Sequence, residues 1–348
     1  MMKGALASFC WVAVIIVLVT TIVTQVASAR WSSEASVLLP ALGSSSNSTT
    51  RTTSVPSRSQ ARIGDEALRP ILFLHGINGH ADEFDGITRL IRNKYGPRAP
   101  PMHSIDICEG PCSLLNPLPK QRDDMLAYLT KNAAALGIDG DEGFNFVAHS
   151  QGALLARSVI QKLPPSLHVR TYVSMASPQM GQFGECNKDN SGIGPALARE
   201  MARPAGWIFF YNPVAQRGLS VANYWHDPRH MSLFIKETNF LPEINGYVDS
   251  GDIAAQKANF VRIGKAVFLS SEDDDCINPP LSGIFQFLDD NGDPTSLEQS
   301  YEYSQDSFGL KTMHDEDRLV IENHPGNLHD SWVQNTSIFE TYVLPHLQ

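Results

Sequence analysis

The sequence predicts an α/β protein in which a mostly parallel sheet is covered by helices on both faces. Apolar runs with strand character alternate with amphipathic helical stretches over most of residues 71 to 181. The connections between these segments are short, as is usual in parallel sheets built from βα units. In addition, one strand passes through a small-x-Ser-x-Gly turn directly into a helix.

The composition is that of a globular protein with a large core. Hydrophobic residues make up 42% and charged residues 18% of the 348 residues. This length suits one α/β domain with an insertion, or two ordinary domains. The formal net charge is -10, whereas a nucleic-acid partner calls for a basic face. The charge therefore argues against a nucleic-acid partner.

The N-terminus has the pattern of a targeting segment. Lys3 precedes an apolar run from Ala5 to Val26, and Ala27-Ser28-Ala29 supplies the small residues of a cleavage site. We predict a signal peptide over residues 1–29; an uncleaved signal-anchor, which would attach the protein to a membrane, is the alternative. Residues 30–66 are rich in Ser, Thr and Arg and predict a flexible stem. The folded domain is then expected over residues 67–348, in a protein of the secretory pathway.

Cysteines and sequons fit such a compartment. Four cysteines follow the signal, and an even number in an oxidising compartment predicts disulfides: Cys108, Cys112, Cys186 and Cys276. A Glu-Gly-Pro turn separates the first two, but all three pairings stay open. We therefore expect these cysteines to form disulfides and not a zinc site. The sequons at Asn47 and Asn335 are acceptors for N-glycosylation.

The first strands and helices are read from their apolar spacing. The run Ile71-Leu72-Phe73-Leu74 predicts a central strand. A helix is expected over residues 81–94, a short strand over 102–107 and a second amphipathic helix over 120–136. The strand 144–149 follows, and residues 152–163 form the next helix.

Ser150 lies in the turn between that strand and that helix. Strand, tight turn and helix form the context of the nucleophile elbow in the α/β-hydrolase fold. Ala148 stands where that motif usually has its first glycine, and its methyl group is small enough for many such turns. The alternative is an ordinary strand-to-helix connection that contains a serine.

Two backbone N–H groups are candidates to bind an oxyanion. His75-Gly76 ends the first strand, at the place where an α/β-hydrolase turns toward its active site. The N–H of Ile77 follows that glycine, and the N–H of Gln151 follows Ser150. Both N–H groups are predicted to donate to the oxyanion.

A lid is predicted between two strands of the sheet. Residues 169–176 predict a strand, after which the alternation stops, and it resumes with the strand 264–269. The intervening residues, about 182–262, are rich in aromatic side chains. We predict a lid that lines an acyl-binding groove; the alternative is that the aromatic residues form the lid's own core.

The remaining polar residues suggest a Ser-His-Asp triad. A serine hydroxyl needs a neighbouring base, and the base needs an orienting carboxylate. In α/β-hydrolases these follow the chain order serine, acid, histidine. Here the acids 273–275 follow a late strand, and His324 and His329 precede a helix predicted from Ser331 toward Tyr342. The order fits, but it does not choose among the acids or between the histidines.

Several longer strings resemble the palmitoyl-protein thioesterase family over about residues 70–348. The matching strings are Ile71-Leu72-Phe73-Leu74-His75-Gly76, His149-Ser150-Gln151-Gly152, Ser177-Pro178-Gln179-Met180-Gly181-Gln182, Asn223-Tyr224-Trp225-His226-Asp227-Pro228 and Asp306-Ser307-Phe308-Gly309-Leu310-Lys311-Thr312. The resemblance implies an α/β-hydrolase fold with a large insertion before the strand that bears the catalytic acid. This implication agrees with the predicted lid.

The resemblance also implies site residues and an activity. The family's acid stands five residues before a proline, which selects Asp274, and the spacing to the C-terminal helix selects His329; Asp273 and His324 remain alternatives. The implied function is a lysosomal or secreted serine thioesterase that cleaves long-chain fatty acyl thioesters of protein, peptide or coenzyme A through an acyl-enzyme, without metal or cofactor. A secreted lipase or carboxylesterase and a non-catalytic acyl-binding protein are the alternatives.

Overall fold

The core of the molecule is a six-stranded parallel sheet. A computed structural model describes residues 69–187 and 195–347. The predicted signal peptide 1–29, the stem 30–66, the sequon at Asn47 and residues 188–194 of the predicted lid lie outside the described residues. The domain boundaries drawn from the sequence stay predictions.

The strand order fixes where the site lies. The strands are β1 (Ile71–Leu74), β2 (Met102–Ile105), β3 (Phe144–His149), β4 (Val169–Met175), β5 (Lys265–Ser270) and β6 (Leu319–Asn323). They lie in the order β2-β1-β3-β4-β5-β6, and every neighbouring pair is parallel. The chain runs from β1 to the β2 edge and then returns to β3 on the other side of β1. The switch point is therefore between β1 and β3, where open α/β sheets bind ligands at the carboxyl ends of the strands.

Helices cover the sheet, and their length falls after β4. The first four helices of the described residues are α1 (Asp85–Tyr95), α2 (Pro111–Leu115), α3 (Leu118–Leu136) and α4 (Gln151–Ile160). Six follow between β4 and β5, namely α5 (Pro195–Met201), α6 (Gly206–Phe210), α7 (Pro213–Gly218), α8 (Met231–Glu237), α9 (Leu241–Ile244) and α10 (Ile253–Val261). The last four are α11 (Tyr301–Ser304), α12 (Leu310–Asp315), α13 (Ser331–Gln334) and α14 (Thr336–Ile338). Across the described ranges, no helix is both long and apolar enough to span a membrane.

Burial on both faces explains the apolar strands. Every residue of β1 and β3 is buried, as expected of central strands with helices on both sides. On one face Phe73 stacks on Phe84 with ring centroids 4.9 Å apart. Trp332 and Phe339 from the C-terminal segment belong to the same apolar cluster. Each such side chain contributes on the order of 1.5–3 kcal/mol through burial.

The aromatic residues between β4 and β5 mostly pack against one another. Eight of the ten aromatic residues that follow Phe183 in the predicted lid are buried. The ten are Trp207, Phe209, Phe210, Tyr211, Tyr224, Trp225, Phe234, Phe240, Tyr247 and Phe260. Phe210 stacks on Trp225 at 4.1 Å, and Phe234 stacks on His226 at 4.0 Å. None of the ten lines the cavity at Ser150. For these side chains the structure agrees with the alternative, an internal core of the segment.

The last third of the chain differs from the sequence expectations in two places. Strand β6, which pairs with β5, was not foreseen. It is only half-buried, and it lacks the continuous apolar pattern of the central strands. The short apolar run Leu319-Val320-Ile321 could nevertheless have indicated a strand. The helix expected from Ser331 to Tyr342 is interrupted at Asn335, whose backbone is extended (φ -101°, ψ 100°). It continues as α14 and a π-helical turn over Phe339–Val343.

Candidate active site

The turn from β3 into α4 presents Ser150 at the switch point. Ser150 has φ 56° and ψ -134°, a strained conformation for a residue with a side chain. Its N–H donates to the carbonyl of Met175 in β4 over 2.9 Å. A Cβ on Gly152 would lie 2.1 Å from the carbonyl oxygen of His75, and one on Gly76 would lie 2.9 Å from the Cβ of Ser150. Glycine at both positions lets β1 approach this turn.

Three predicted residues are joined by hydrogen bonds. The Oγ of Ser150 lies 3.0 Å from Nε2 of His329. On the other side of the ring, Nδ1 lies 3.0 and 3.1 Å from the two carboxylate oxygens of Asp274. All three residues are buried. In this arrangement Nδ1–H donates to the carboxylate, which leaves the Nε2 lone pair facing the serine hydroxyl.

Asp274 lies in a loop that several contacts fix in place. Oδ1 of Asp274 accepts the N–H groups of Cys276 and Ile277, each over 2.8 Å. Oδ1 of Asp275 accepts the backbone N–H of His329 over 2.9 Å. A disulfide joins Cys186 to Cys276 and so ties this loop to the segment after β4. The loop therefore places both the carboxylate of Asp274 and the backbone of His329.

Asp273 and His324, the alternatives for the acid and the base, form hydrogen bonds to other groups. Oδ2 of Asp273 accepts the N–H of Gly326 over 2.7 Å. Nε2 of His324 bonds to Glu322 over 2.9 Å, and its ring stacks on Tyr342 at 3.9 Å. Neither side chain joins the bonded series that leads to Ser150.

His149, the residue before Ser150, supports His329. Its Nε2–H donates to the carbonyl of His329 over 2.9 Å, and the two rings lie 4.7 Å apart. Burial lowers the pKa of His149 to about 3, and the nearby His329 acts in the same direction. The ring is therefore neutral over the physiological range, so it supports His329 without adding a charge beside it.

A cavity of about 120 Å³ opens onto Ser150. Gly76, Ile77, Ser150 and His329 are among its lining residues. Gln151 begins α4, and the N–H groups in the first turn of a helix have no partner within the helix. The loop after β1 and the start of α4 thus carry the two N–H groups predicted to bind an oxyanion, one directly after Gly76 and one directly after Ser150.

One group in the described ranges has ligand atoms close enough for a metal ion: His149, His329 and Asp330, all within 4.8 Å of one another. Both ring nitrogens of His329 already bond to Ser150 and Asp274. An ion would have to displace one of these contacts, so the side chains fit a hydrogen-bonded series better than a metal centre.

Two buried polar side chains that sequence reasoning missed hold the loops around the site. Gln182 donates to the carbonyl of Cys276 over 3.0 Å and accepts the N–H of Asn278 over 3.2 Å. Arg157 on α4 donates to Gln179 over 2.7 Å. Both glutamines belong to the Ser-Pro-Gln-Met-Gly-Gln string. The string drew attention to these residues in the sequence, but it did not show which groups their side chains contact.

The strand order and the serine at its switch point define a hydrolase of the α/β-hydrolase fold. A family model described as palmitoyl protein thioesterase matches residues 70–329. The lysosomal thioesterase PPT2 of Bos taurus is 30% identical over 281 residues, which cover 81% of this chain and 88% of that protein. The lysosomal thioesterase PPT2 homolog of Drosophila melanogaster is also 30% identical over 281 residues, 81% of this chain and 92% of that protein.

The chain belongs to the palmitoyl protein thioesterase family, and it is an enzyme of the thiolester hydrolase class. Among solved structures, the mature form of the Bacillus licheniformis lipase BlEst2 has a TM-score of 0.41 at 15% identity, covering 82% of this chain and 94% of that chain. That likeness is too distant to bear on function. The expected location, lysosomal or secreted, agrees with the relatives' names and with the disulfides Cys108–Cys112 and Cys186–Cys276.

Proposed function

We propose that the protein hydrolyses long-chain fatty acyl thioesters, with Ser150 as nucleophile, His329 as general base and Asp274 as the orienting acid. The observation that carries this proposal is the bonded series from Asp274 through His329 to Ser150, with contacts of 3.0–3.1 Å. Substrates on a protein, a peptide or coenzyme A share the thioester group on which this chemistry acts.

In the first half-reaction, the Oγ of Ser150 attacks the thioester carbonyl carbon while Nε2 of His329 takes the hydroxyl proton. The carbonyl oxygen becomes an oxyanion, which the N–H groups of Ile77 and Gln151 bind. The tetrahedral intermediate then breaks its carbon–sulfur bond. The imidazolium of His329 returns its proton to the departing sulfur, so a thiol leaves and the acyl group stays on Ser150.

In the second half-reaction, His329 takes a proton from water, and the hydroxide attacks the acyl-serine carbonyl. The bond to Oγ breaks, His329 returns the proton to Ser150, and the fatty acid is released. Asp274 holds Nδ1–H throughout and stabilises the imidazolium in both halves. A thiol has a pKa near 8.5, so its anion leaves far more readily than an alkoxide.

The test compares the purified chain with Ser150→Ala and Ser158→Ala on palmitoyl-coenzyme A, an S-palmitoyl peptide and a matched palmitoyl oxygen ester. Ser158 is a matched control because it is buried and its hydroxyl bonds only within α4, to the carbonyl of Leu155. We expect thiol release from at least one thioester, lost in Ser150→Ala and retained in Ser158→Ala.

Equal rates in Ser150→Ala and the wild type would refute Ser150 as the nucleophile. Faster cleavage of the oxygen ester than of both thioesters would favour the lipase or carboxylesterase alternative. A folded wild-type protein that binds palmitate but turns over none of the three substrates would favour an acyl-binding protein.

A further inference from the structure

A short loop that contains a disulfide contacts both chain segments that carry the proposed oxyanion donors. This loop, residues 108–116, contains the Cys108–Cys112 disulfide and α2. Its first anchor is the N–H of Gly110, which donates to the carbonyl of Gly79 over 2.9 Å. The loop is thereby fixed to the chain that follows β1.

Ser113, in the middle of this loop, is buried and uses all of its hydrogen-bonding groups. Its Oγ donates to the carbonyl of Gly110 over 2.7 Å and accepts the N–H of Asn78 over 2.7 Å. Its carbonyl accepts the side-chain amides of Gln151 and Gln121, each over 2.8 Å. One residue therefore touches both sides of the site, since Asn78 follows Ile77 and Gln151 follows Ser150.

The contact with Asn78 holds a strained turn. Asn78 has φ 54°, in the left-handed region that non-glycine residues rarely adopt. Such a conformation persists only where surrounding contacts fix it. The peptide N–H that Ser113 accepts lies directly after Ile77, so fixing it restricts the direction of the Ile77 N–H.

We infer that Ser113 is a positioning residue that sets the spacing between the N–H groups of Ile77 and Gln151. This inference rests on the proposed function, because both donors belong to its mechanism. Removing a whole oxyanion donor costs about 100- to 1000-fold in kcat. Loss of the Ser113 hydroxyl displaces one donor without removing it, so the expected loss of kcat is roughly 10- to 100-fold. KM should change little, because the charge on the oxygen develops only in the transition state.

The test compares Ser113→Ala, Ser113→Thr and the control Ser282→Ala. Ser282 is buried and its Oγ also joins two backbone groups, donating to the carbonyl of Gly181 over 2.7 Å and accepting the N–H of Met180 over 3.1 Å. Ser282 does not line the cavity at Ser150. Any general cost of deleting such a hydroxyl therefore appears in both alanine variants.

Each variant is assayed for kcat, KM, Tm and the affinity of two ligands, palmitate and a palmityl trifluoromethyl ketone. The ketone carbonyl adds the Oγ of Ser150, whose proton passes to His329, and the resulting hemiketal oxygen occupies the oxyanion site. We expect Ser113→Ala to lose kcat and ketone affinity by the same factor while its KM and palmitate affinity stay within twofold. Ser113→Thr, which keeps a hydroxyl, should recover most of the loss.

The inference is overturned if kcat and ketone affinity of Ser113→Ala match those of the wild type, or if they fall no more than in Ser282→Ala. It is also overturned if KM rises and palmitate affinity falls by the same factor as kcat is lost, since that pattern indicates general disruption of the site. Failure of the proposed function has a different signature, namely a wild-type enzyme without turnover or with turnover that survives Ser150→Ala.

Discussion

Replacing Asp274 with asparagine tests whether Asp274 or the neighbouring Asp273 orients His329. Oδ1 of Asp274 accepts two backbone N–H groups of its own loop, from Cys276 and Ile277, at 2.8 Å each. Both carboxylate oxygens also face Nδ1 of His329 at 3.0–3.1 Å. An asparagine keeps only one acceptor oxygen, and the two loop N–H groups hold it in place.

The amide NH₂ of the asparagine then faces Nδ1 of His329. Because NH₂ can only donate, Nδ1 has to accept, and the ring hydrogen moves to Nε2. Nε2 can no longer take the proton of Ser150. The same Asp-to-Asn change in a well-characterised Ser-His-Asp triad lowers kcat about 10⁴-fold, because the histidine then has the wrong tautomer. At about 1.36 kcal/mol for each factor of ten, the expected loss is roughly 5 kcal/mol of transition-state stabilisation.

The assay is thiol release from a palmitoyl thioester by wild type, Asp274→Asn and Asp273→Asn, with Tm as the check on folding. Asp273 is the matched control because its carboxylate accepts the N–H of Gly326 and does not contact His329. We expect Asp273→Asn to stay within about threefold of the wild type, as for surface changes outside the site. If Asp274→Asn kept more than a tenth of the activity while Asp273→Asn lost a thousandfold, the acid would be Asp273 and the mechanism would need revision.

Three further predictions concern stability and modification. Burial lowers the pKa of His226 to about 4, below its value of about 6.5 in the unfolded chain. The unfolded state therefore gains a proton first, and the free energy of unfolding should fall by about 2 kcal/mol for this group between pH 7 and pH 5. Urea unfolding of His226→Gln should show a correspondingly smaller fall, and an equal fall would contradict the argument. Arg157 is fully buried, so Arg157→Met should lower the free energy of unfolding by about 3 kcal/mol. The exposed control Arg89→Met should lower it by less than about 0.5 kcal/mol. If urea unfolding gave comparable losses for the two variants, the buried hydrogen bonds of Arg157 would not have the predicted effect on stability. Asn335 is exposed and is expected to carry a glycan in the secreted protein. By mass, Ser337→Ala should lack one glycan, whereas Ser337→Thr, which keeps the sequon, should retain it. If the wild-type protein had the same mass before and after deglycosylation, Asn335 would not be a glycosylation site.

The sequence identified most of the sheet because its central strands carry a strong local signal. The predicted strand 144–149 coincides with β3, and the strand 169–176 differs from β4 by one residue. Strand β6 was missed because it is half-buried, so its apolar pattern is incomplete. Element ends and half-buried strands depend on what packs against them, and a single sequence does not contain that information.

The candidate site was predictable in part for the same reason. Ser150 stands in a local strand-turn-helix pattern, which the sequence shows directly. The choice of Asp274 and His329 came from a family resemblance, because three adjacent acids and two nearby histidines are equivalent in local sequence. The contacts that separate them in the structure, such as His329 with Asp274 across 55 positions, are long-range. The disulfide pairing was open for the same reason.

The supports around the proposed triad share one physical feature. His149 bonds to a backbone carbonyl of His329, Asp275 to its backbone N–H, and Ser113 to the backbone beside Ile77. Each acts on main-chain geometry near a reacting group, so each affects the transition state through position and leaves the nucleophile, base and acid unchanged. Since misplacement by about 1 Å can cost roughly 100-fold in rate, such supports matter for kcat far more than the net 0.5–1.5 kcal/mol of a typical hydrogen bond would suggest. A variant at a support should therefore separate rate from stability, whereas a variant in the apolar core should change stability first.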